Sequence, residues 1–158
     1  MALTLDGTAG ITFPSGSGTQ AAQSKVLQVV SVPYSTSTST TSTSFVNTGL
    51  SASITPLFST SKVFIICSFM GYDAGGAGVN WYATIQRGST NLGSATVGMA
   101  TIYNSAGGVQ GGYAISYLDA PATTSSTTYS FAYAKSGGTA YLNFNGETSS
   151  ITLMEIAA

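Results

Sequence analysis

The fold class is decided by one stretch of the sequence, Lys62-Val63-Phe64-Ile65-Ile66-Cys67-Ser68-Phe69-Met70-Gly71-Tyr72. Successive side chains of a β-strand point to opposite faces of the sheet, so this stretch divides into two rows. The first row consists of Val63, Ile65, Cys67 and Phe69. The second row consists of Phe64, Ile66 and Met70. The stretch therefore predicts a strand with apolar side chains on both faces.

A second stretch, Ser149–Ile156, has the same two-sided character. Ile151 and Leu153 share one face of the predicted strand, whereas Met154 and Ile156 share the other. One face of each sheet in a two-layer sandwich is normally in water, so a strand that is apolar on both faces needs a second contact. We expect that contact to be a subunit interface, with a wide core or a covering loop as the alternative. The side chains expected in the interface are Phe64, Ile66, Met154 and Ile156.

The rest of the chain from residue 25 onward also has the pattern of short strands separated by turns, and no stretch has helical periodicity. The predicted strands are Val26–Val32 (ending before Pro33), Ser51–Thr55, Lys62–Tyr72, Val79–Arg87, Asn91–Val97, Gly111–Leu118, Thr128–Lys135, Thr139–Asn145 and Ser149–Ile156. The run Ser35–Ser44 contains only Ser and Thr and predicts an exposed loop with room for a short edge strand. Residues 25–158 are thus predicted to form an all-β, antiparallel β-sandwich that is jelly-roll-like.

One predicted strand, Thr128–Lys135, has faces of different size. The large face carries Tyr129, Phe131 and Tyr133, and the small face carries Ser130, Ala132 and Ala134. Small side chains allow another chain to approach closely, so this face is a second place for a subunit contact or for a covering loop.

The first 24 residues differ from the rest of the chain. Leu3–Leu5 and Ile11–Phe13 alternate like two very short strands, and the glycine-rich segment Pro14–Gly18 is typical of a linker. Such a segment cannot bury a core alone, so we predict that residues 1–24 form an extended N-terminal arm that is ordered against another subunit or a larger body. An edge strand with a flexible tail is the alternative. The side chains expected to anchor the arm are Leu3, Leu5, Ile11 and Phe13.

The chain is poor in groups that catalyse reactions. It has no histidine, one cysteine and 6% charged residues, and its formal net charge is −1. Catalysis usually needs groups that transfer protons, bind metals or carry charge, and nucleic acids need a basic surface. We therefore expect no catalytic residues, no metal or cofactor site, no nucleic-acid partner and no enzyme activity.

Three arrangements come nearest to catalytic chemistry. Asp73 and Asp119 precede turns, and a hydrolase would need both carboxylates to converge in one cleft. Ser61 and Lys62 are adjacent, and neighbours in a strand point to opposite faces. Cys67 lies in an apolar run with no histidine to activate it, so we expect a buried and unreactive thiol.

Aromatic residues are the better candidates for recognition. The chain has Trp81 and nine tyrosines, which combine apolar area with a polar edge. Most are expected in the core or in an interface. Three lie in or beside the glycine-rich segments Asp73–Gly78 and Ser105–Gly112 and are predicted to face a receptor or a host-surface glycan: Tyr72, Tyr103 and Tyr113.

The N-terminus lacks the basic and long apolar regions of a secretory signal, and no segment has the ~18 consecutive apolar residues of a membrane helix. We expect a protein that is made in a cytoplasm and is not inserted into a membrane. A surface with so little charge protects poorly against self-association, which is reasonable if much of it is covered in an assembly.

Two regions of the sequence resemble known proteins. The arm segment Leu3–Gly16 resembles a segment common in structural proteins of tailed bacteriophages, especially fibre and fibre-like proteins. The segment Tyr117–Pro121, with Thr128-Tyr129 and Ser150–Ile156, is similar to the β-domain found with it. The resemblance implies a virion surface protein, often a homotrimer with a jelly-roll-like head, and assigns no catalytic residues.

Long fibre proteins have a shaft before such a domain, and this sequence has none. The expected function is therefore that of a homotrimeric capsid decoration (cement) protein or head-surface knob, anchored to the virion by its arm. Its expected partners are other copies of itself and the major capsid protein or another virion protein. The alternative is a receptor- or glycan-binding tip domain of a short tail or head fibre.

Overall fold

A computed structural model describes residues 4–6, 10–12 and 25–158. In the first part, β1 (Thr4–Asp6) and β2 (Gly10–Thr12) form a two-stranded antiparallel sheet in which Leu5 is opposite Ile11. Of the predicted anchoring residues, Leu3 and Phe13 lie outside the described residues. The anchoring role of residues 1–24 stays a prediction.

The remaining strands build one β-sandwich. They are β3 (Val26–Tyr34), β4 (Thr38–Thr40), β5 (Val46–Ile54), β6 (Lys62–Asp73), β7 (Val79–Arg87), β8 (Thr90–Asn91), β9 (Ala100–Asn104), β10 (Val109–Asp119), β11 (Thr127–Lys135), β12 (Ala140–Leu142) and β13 (Ser149–Ile156). In sheet I, β3, β13, β6 and β10 lie side by side, and β12 and β4 extend the sheet beside the second half of β6. Sheet II contains β5, β11, β7 and β9, with β8 beside the second half of β7.

The order of the eight longer strands is that of a jelly roll. β3 pairs with β13, β5 with β11, β6 with β10, and β7 with β9, as if one long hairpin had been rolled up. Within each sheet these pairs are joined, because β13 also pairs with β6 in sheet I and β11 also pairs with β7 in sheet II. All of these pairings are antiparallel, so the predicted all-β, antiparallel, jelly-roll-like sandwich is confirmed.

The core lies between the two sheets and is centred on aromatic rings. Phe69 of sheet I packs against Phe131 and Trp81 of sheet II, with ring centroids 4.4 and 5.4 Å apart. Gly71 is required beside Trp81, because a Cβ on Gly71 would lie 2.1 Å from Trp81 Cζ3. The first of the two rows of β6, formed by Val63, Ile65, Cys67 and Phe69, is buried throughout and faces this core.

The observed strands differ from the predicted ones in several places. β3 continues through Pro33 to Tyr34, because β3 is at the edge of its sheet, where a missing N–H is tolerated. The segment predicted as a strand from Asn91 to Val97 is mostly turns, and the strand after it, β9, was not predicted. The Ser/Thr run does contain a short strand, β4, as expected.

The sandwich has two ends, which are named by the direction of β6. The lower end is where β6 begins at Lys62, and it includes the loops of residues 55–61 and 120–126. The upper end is where β6 finishes at Asp73, and it includes the glycine-rich loops of residues 74–78, 105–108 and 136–139.

Candidate functional site

An apolar row crosses the outer face of sheet I near the lower end. Leu118 of β10 pairs with Phe64 of β6, Phe64 pairs with Met154 of β13, and Met154 pairs with Val29 of β3. All four side chains point away from the core, since their neighbours along each strand are the core-facing ones. At a strand spacing of about 4.8 Å, the row is roughly 15 Å wide.

Two further apolar side chains extend this row along the strands. Ile66 is two residues above Phe64, and Ile156 is two residues below Met154, so both share the outer face. We call the resulting surface the apolar band: Val29, Phe64, Ile66, Leu118, Met154 and Ile156. It contains the four residues predicted for a subunit interface, which the structure brings together on one face.

Residues 25–158 cover the apolar band only partly. Phe64, Ile66, Met154 and Ile156 are half-buried, whereas Leu118 is 48% exposed and Val29 is 56% exposed. A contiguous exposed apolar surface of this kind is typical of an interaction site. The sequence pattern did not single out Leu118 and Val29, because an isolated apolar residue in an edge strand gives no signal before the pairing is known.

The outer face of sheet II differs, because the chain covers it. Ser130, Ala132 and Ala134 of β11 point outward and are buried. Thr84, which pairs with Ala132, is also buried, and its Oγ1 donates a hydrogen bond of 2.6 Å to Asn91 Oδ1. The small face of β11 is therefore closed over by other parts of the same chain.

Residues 91–99 form part of this cover. Met99 N–H donates to Ala83 O at 2.8 Å, which fixes the segment beside β7. Gly98 has φ +68°, and the position of a Cβ on it would be 2.9 Å from Phe45 Cζ. Phe45 and the 91–99 segment thus meet beside the small residues. Of the two possibilities given for that face, a subunit contact or a covering loop, the structure shows the covering loop.

The three tyrosines predicted to face a receptor do not form one patch. Tyr103 is 60% exposed on the outer face of sheet II. Tyr72 is on the outer face of sheet I at the upper end. The ring of Tyr113 packs instead against Phe69 and Trp81 in the core. Burial is the main cause of a raised pKa of its hydroxyl, and the charge of Asp73 raises the pKa further.

Tyr72 belongs to an aromatic cluster that the sequence did not predict. Its ring stacks on Tyr141 with centroids 5.8 Å apart, and Phe144 lies 4.7 Å from Tyr72 and 4.8 Å from Tyr141. Phe144 is 45% exposed, so this cluster of Tyr72, Tyr141 and Phe144 opens to solvent. The register of β12 with β6 brings the residues together, and that register is not visible in the sequence.

Ion pairs join the two sheets at both ends. At the upper end, Lys135 of sheet II is hydrogen-bonded to Asp73 of sheet I, and both side chains are buried. At the lower end, Arg87 Nη1 of sheet II donates to both carboxylate oxygens of Asp119 in sheet I, at 2.8 and 3.0 Å. Tyr129 also donates to Asp119, and burial together with this bond raises the pKa of Tyr129.

The arrangements nearest to catalytic chemistry do not assemble. Asp73 and Asp119 are ten residues apart along the β6–β10 ladder, roughly 30 Å. Ser61 is buried, while Lys62 is exposed. Burial raises the pKa of the Cys67 thiol to about 12, so the thiolate nucleophile is scarce at neutral pH.

Among residues 4–6, 10–12 and 25–158, no three His, Cys, Asp or Glu side chains are close enough to hold a metal ion. Within the same residues, no helix has the length and apolar character needed to cross a membrane.

The lower end carries another exposed apolar pair. Leu57 and Phe58 are 60% and 57% exposed at the tip of the loop between β5 and β6. Their backbone N–H groups donate to Glu155 Oε1 at 2.8 and 3.4 Å, and Gln28 Nε2 donates to Glu155 Oε2 at 2.6 Å. Burial raises the pKa of Glu155, but these hydrogen bonds outweigh it and lower the pKa overall.

No protein-family model matches the chain, and no curated protein is significantly similar to it in sequence.

Proposed function

We propose that this protein is a bacteriophage virion structural protein without enzyme activity: a homotrimeric capsid decoration (cement) protein or head-surface knob. The observation that carries the proposal is the apolar band on the outer face of sheet I. A jelly roll needs only its inner faces to fold, so apolar residues kept on an outer face favour a contact with other copies or with the virion.

The composition supports the same function. A chain with 6% charged residues has little charge to protect its surface against association. Burying apolar area stabilises an assembly by about 25 cal/mol per Å² before the costs of binding. In this proposal the protein is located on the virion. Its partners are other copies of the chain and the major capsid protein or another virion protein.

The lower end is the part that faces the virion in this proposal. The described part of the sandwich begins there at Lys25, directly after the proposed anchoring arm. The exposed Leu57 and Phe58 are at the same end. An arm and an apolar loop at one end provide two contacts for attachment, which leaves the upper end directed outward.

The native mass of the full chain and of a version lacking residues 1–24 tests the proposal. We expect trimers of the 16.0-kDa full chain and trimers of the shortened chain, because the apolar band lies within residues 25–158. Leu118→Glu should give monomers, since it places a charge in the band. Thr101→Glu, on the exposed outer face of sheet II, is the matched control and should remain trimeric. Monomers of the unaltered protein would contradict the proposal.

Attachment to the virion has its own test. Particles that lack this protein should lose integrity at a lower temperature or a higher salt concentration than complete particles, because a cement protein stabilises the shell that it covers. Unchanged particle stability would count against cementing and in favour of a knob.

The aromatic cluster at the upper end favours a second candidate function, a receptor- or glycan-binding tip domain. Phe144 is exposed at the end opposite to the proposed attachment. Deleting the exposed aromatic side chain with Phe144→Ala should then reduce adsorption to host cells while leaving the native mass unchanged. Full adsorption by this variant would contradict the second candidate.

A further inference from the structure

We propose that the aromatic cluster of Tyr72, Tyr141 and Phe144, together with Gln110 and Glu147, is a binding site for the neutral pyranose rings of an oligosaccharide. This inference deepens the second candidate function and names its ligand class. It does not depend on the trimer. Ile66, the band residue nearest to Tyr72 on β6, is six residues below it, roughly 20 Å, so assembly through the band leaves the aromatic cluster open.

The cluster presents aromatic surface where a sugar ring can stack. Pyranose rings have apolar C–H faces and polar rims, and aromatic side chains with a polar edge match both. Tyr72 and Tyr141 stack on each other with their rings inclined by 29°, and Phe144 is inclined by 68° to Tyr141. The Phe144 ring is therefore set at an angle across the stacked pair of Tyr72 and Tyr141.

The loop that displays Phe144 is held rigidly. Asn143 is buried with φ 53°, its Nδ2 donates to Tyr34 O at 2.8 Å, and its Oδ1 accepts a bond of 2.6 Å from Ser149 Oγ. Asn143 N–H donates to Met70 O, and Gly146 N–H returns to Asn143 O, both at 3.0 Å. A preorganised loop loses little conformational entropy when a ligand binds.

Polar groups for sugar hydroxyls lie beside the rings. Gln110 pairs with Tyr72 across β10 and β6, and its Nε2 donates to Glu147 Oε1 at 2.7 Å. Glu147 Oε2 accepts a 2.9 Å bond from the Asn145 N–H. That bond is the main cause of a lowered pKa for Glu147, so its carboxylate is charged at neutral pH and can accept bonds from hydroxyl groups.

The charges of the site favour neutral sugars over acidic ones. The chain has four basic residues. Lys25, Lys62 and Arg87 belong to the lower end, and Lys135 is buried against Asp73. Within residues 25–158, the site therefore presents the negative charge of Glu147 without a neighbouring cation, which disfavours sialic and uronic acids.

A depression of about 390 Å³ continues the site along the outer face of sheet I. Its lining includes Met70, Gly112, Ala114 and Thr148, and Met70 and Gly112 are each two residues from Tyr72 and Gln110 on the same face. The volume is within the range of small-molecule sites. The depression therefore offers space for a second sugar ring beside the one on the aromatic cluster.

Binding of the full chain to a panel of soluble oligosaccharides tests the inference. The panel contains neutral hexose and N-acetylhexosamine oligosaccharides, with sialylated and uronic-acid oligosaccharides for comparison, and saturation-transfer NMR followed by titration detects weak binding. We expect neutral members to bind, and Phe144→Ala and Tyr141→Ala to weaken that binding roughly tenfold each, the loss of one stacking contact of about 1.4 kcal/mol. Tyr103→Ala removes a ring that is more exposed than Phe144 but lies on the other sheet, and it should have no effect.

Three other outcomes overturn parts of the inference and can be told apart. If neutral oligosaccharides bind but neither Phe144→Ala nor Tyr141→Ala weakens their binding, the proposed site is wrong and the second candidate function stands. If the acidic members bind more tightly than the neutral ones, the proposed ligand class is wrong. If no member binds to the unaltered protein, both the inference and the glycan-binding function fail.

Discussion

The outer faces of the two sheets differ in how their outward-pointing side chains are covered. Sheet II has small residues on its central strand, such as Ala132 and Ala134, and Phe45 and the 91–99 segment close over them. Sheet I has the large apolar side chains of the apolar band, and the chain leaves them half-exposed. One face is completed by its own chain, whereas the other remains open to a partner.

The difference shows that residue size along a strand does not decide where a partner binds. The small residues of β11 leave room for another chain to approach, but the chain's own segment already occupies that space. The large residues of sheet I leave apolar area that nothing in residues 25–158 covers completely. The face that lacks an internal cover is therefore the better candidate for assembly.

Both outer faces belong to sheets that are held on one core. Lys135→Ala should weaken the link between these sheets and have the largest effect on stability. It leaves Asp73 buried without its partner in the other sheet, which should cost about 3–5 kcal/mol in the free energy of unfolding. Chemical denaturation measures the loss. Lys62→Ala, at an exposed lysine, is the control, and a similar loss there would show that the buried pair is unimportant.

Removing the cover of sheet II should have the next largest effect. Gly98→Ala places a Cβ 2.4 Å from Ala83 O at a positive φ, so the 91–99 segment must move away. We expect a loss of about 2–4 kcal/mol and increased binding of a hydrophobic dye. A Cβ on Gly76 would have no neighbouring atom within 4 Å, so Gly76→Ala should change stability by less than ~0.5 kcal/mol. Equal losses in the two variants would show that the cover is not held at Gly98.

The stability of the lower end, where the two faces meet, should depend on pH through Glu155. Its folded pKa is lowered, so its contribution to stability is present above the ordinary value of 4.5 and is lost as the pH falls through the lower folded value. Melting temperatures of the unaltered protein and of Glu155→Gln should therefore differ at neutral pH and converge in acid. A difference that stays constant on acidification would show that the carboxylate charge is not the stabilising group.

The smallest effect, a change in labelling rate alone, distinguishes the inner from the outer face of sheet I. Cys67 faces the core and its pKa is raised to about 12, so a thiol reagent should not label it before unfolding. Ser116→Cys adds a thiol on the exposed outer face opposite Ile66, within reach of the apolar band. It should react quickly in the monomeric Leu118→Glu variant and slowly in the assembled protein. Equal rates would place the interface elsewhere.

The amino-acid sequence by itself determined the alternation of β6, β7, β11 and β13, and with it the all-β fold class. Alternation is visible because each side chain's face follows from its position in the strand. The same rule placed Phe64 with Ile66 on one face of β6, and Met154 with Ile156 on one face of β13, before any pairing was known. Pro33 misled the prediction, because the sequence does not say which strand lies at a sheet edge.

Only the tertiary structure decided what lies beside each face. The apolar band needs the pairing of β10, β6, β13 and β3, and the aromatic cluster needs the register of β12 against β6. These contacts join residues far apart in the chain, as with Tyr72 and Phe144. The physical reason is that strand alternation is a local property of the backbone, whereas sheet order and register are set by the packing of the whole core.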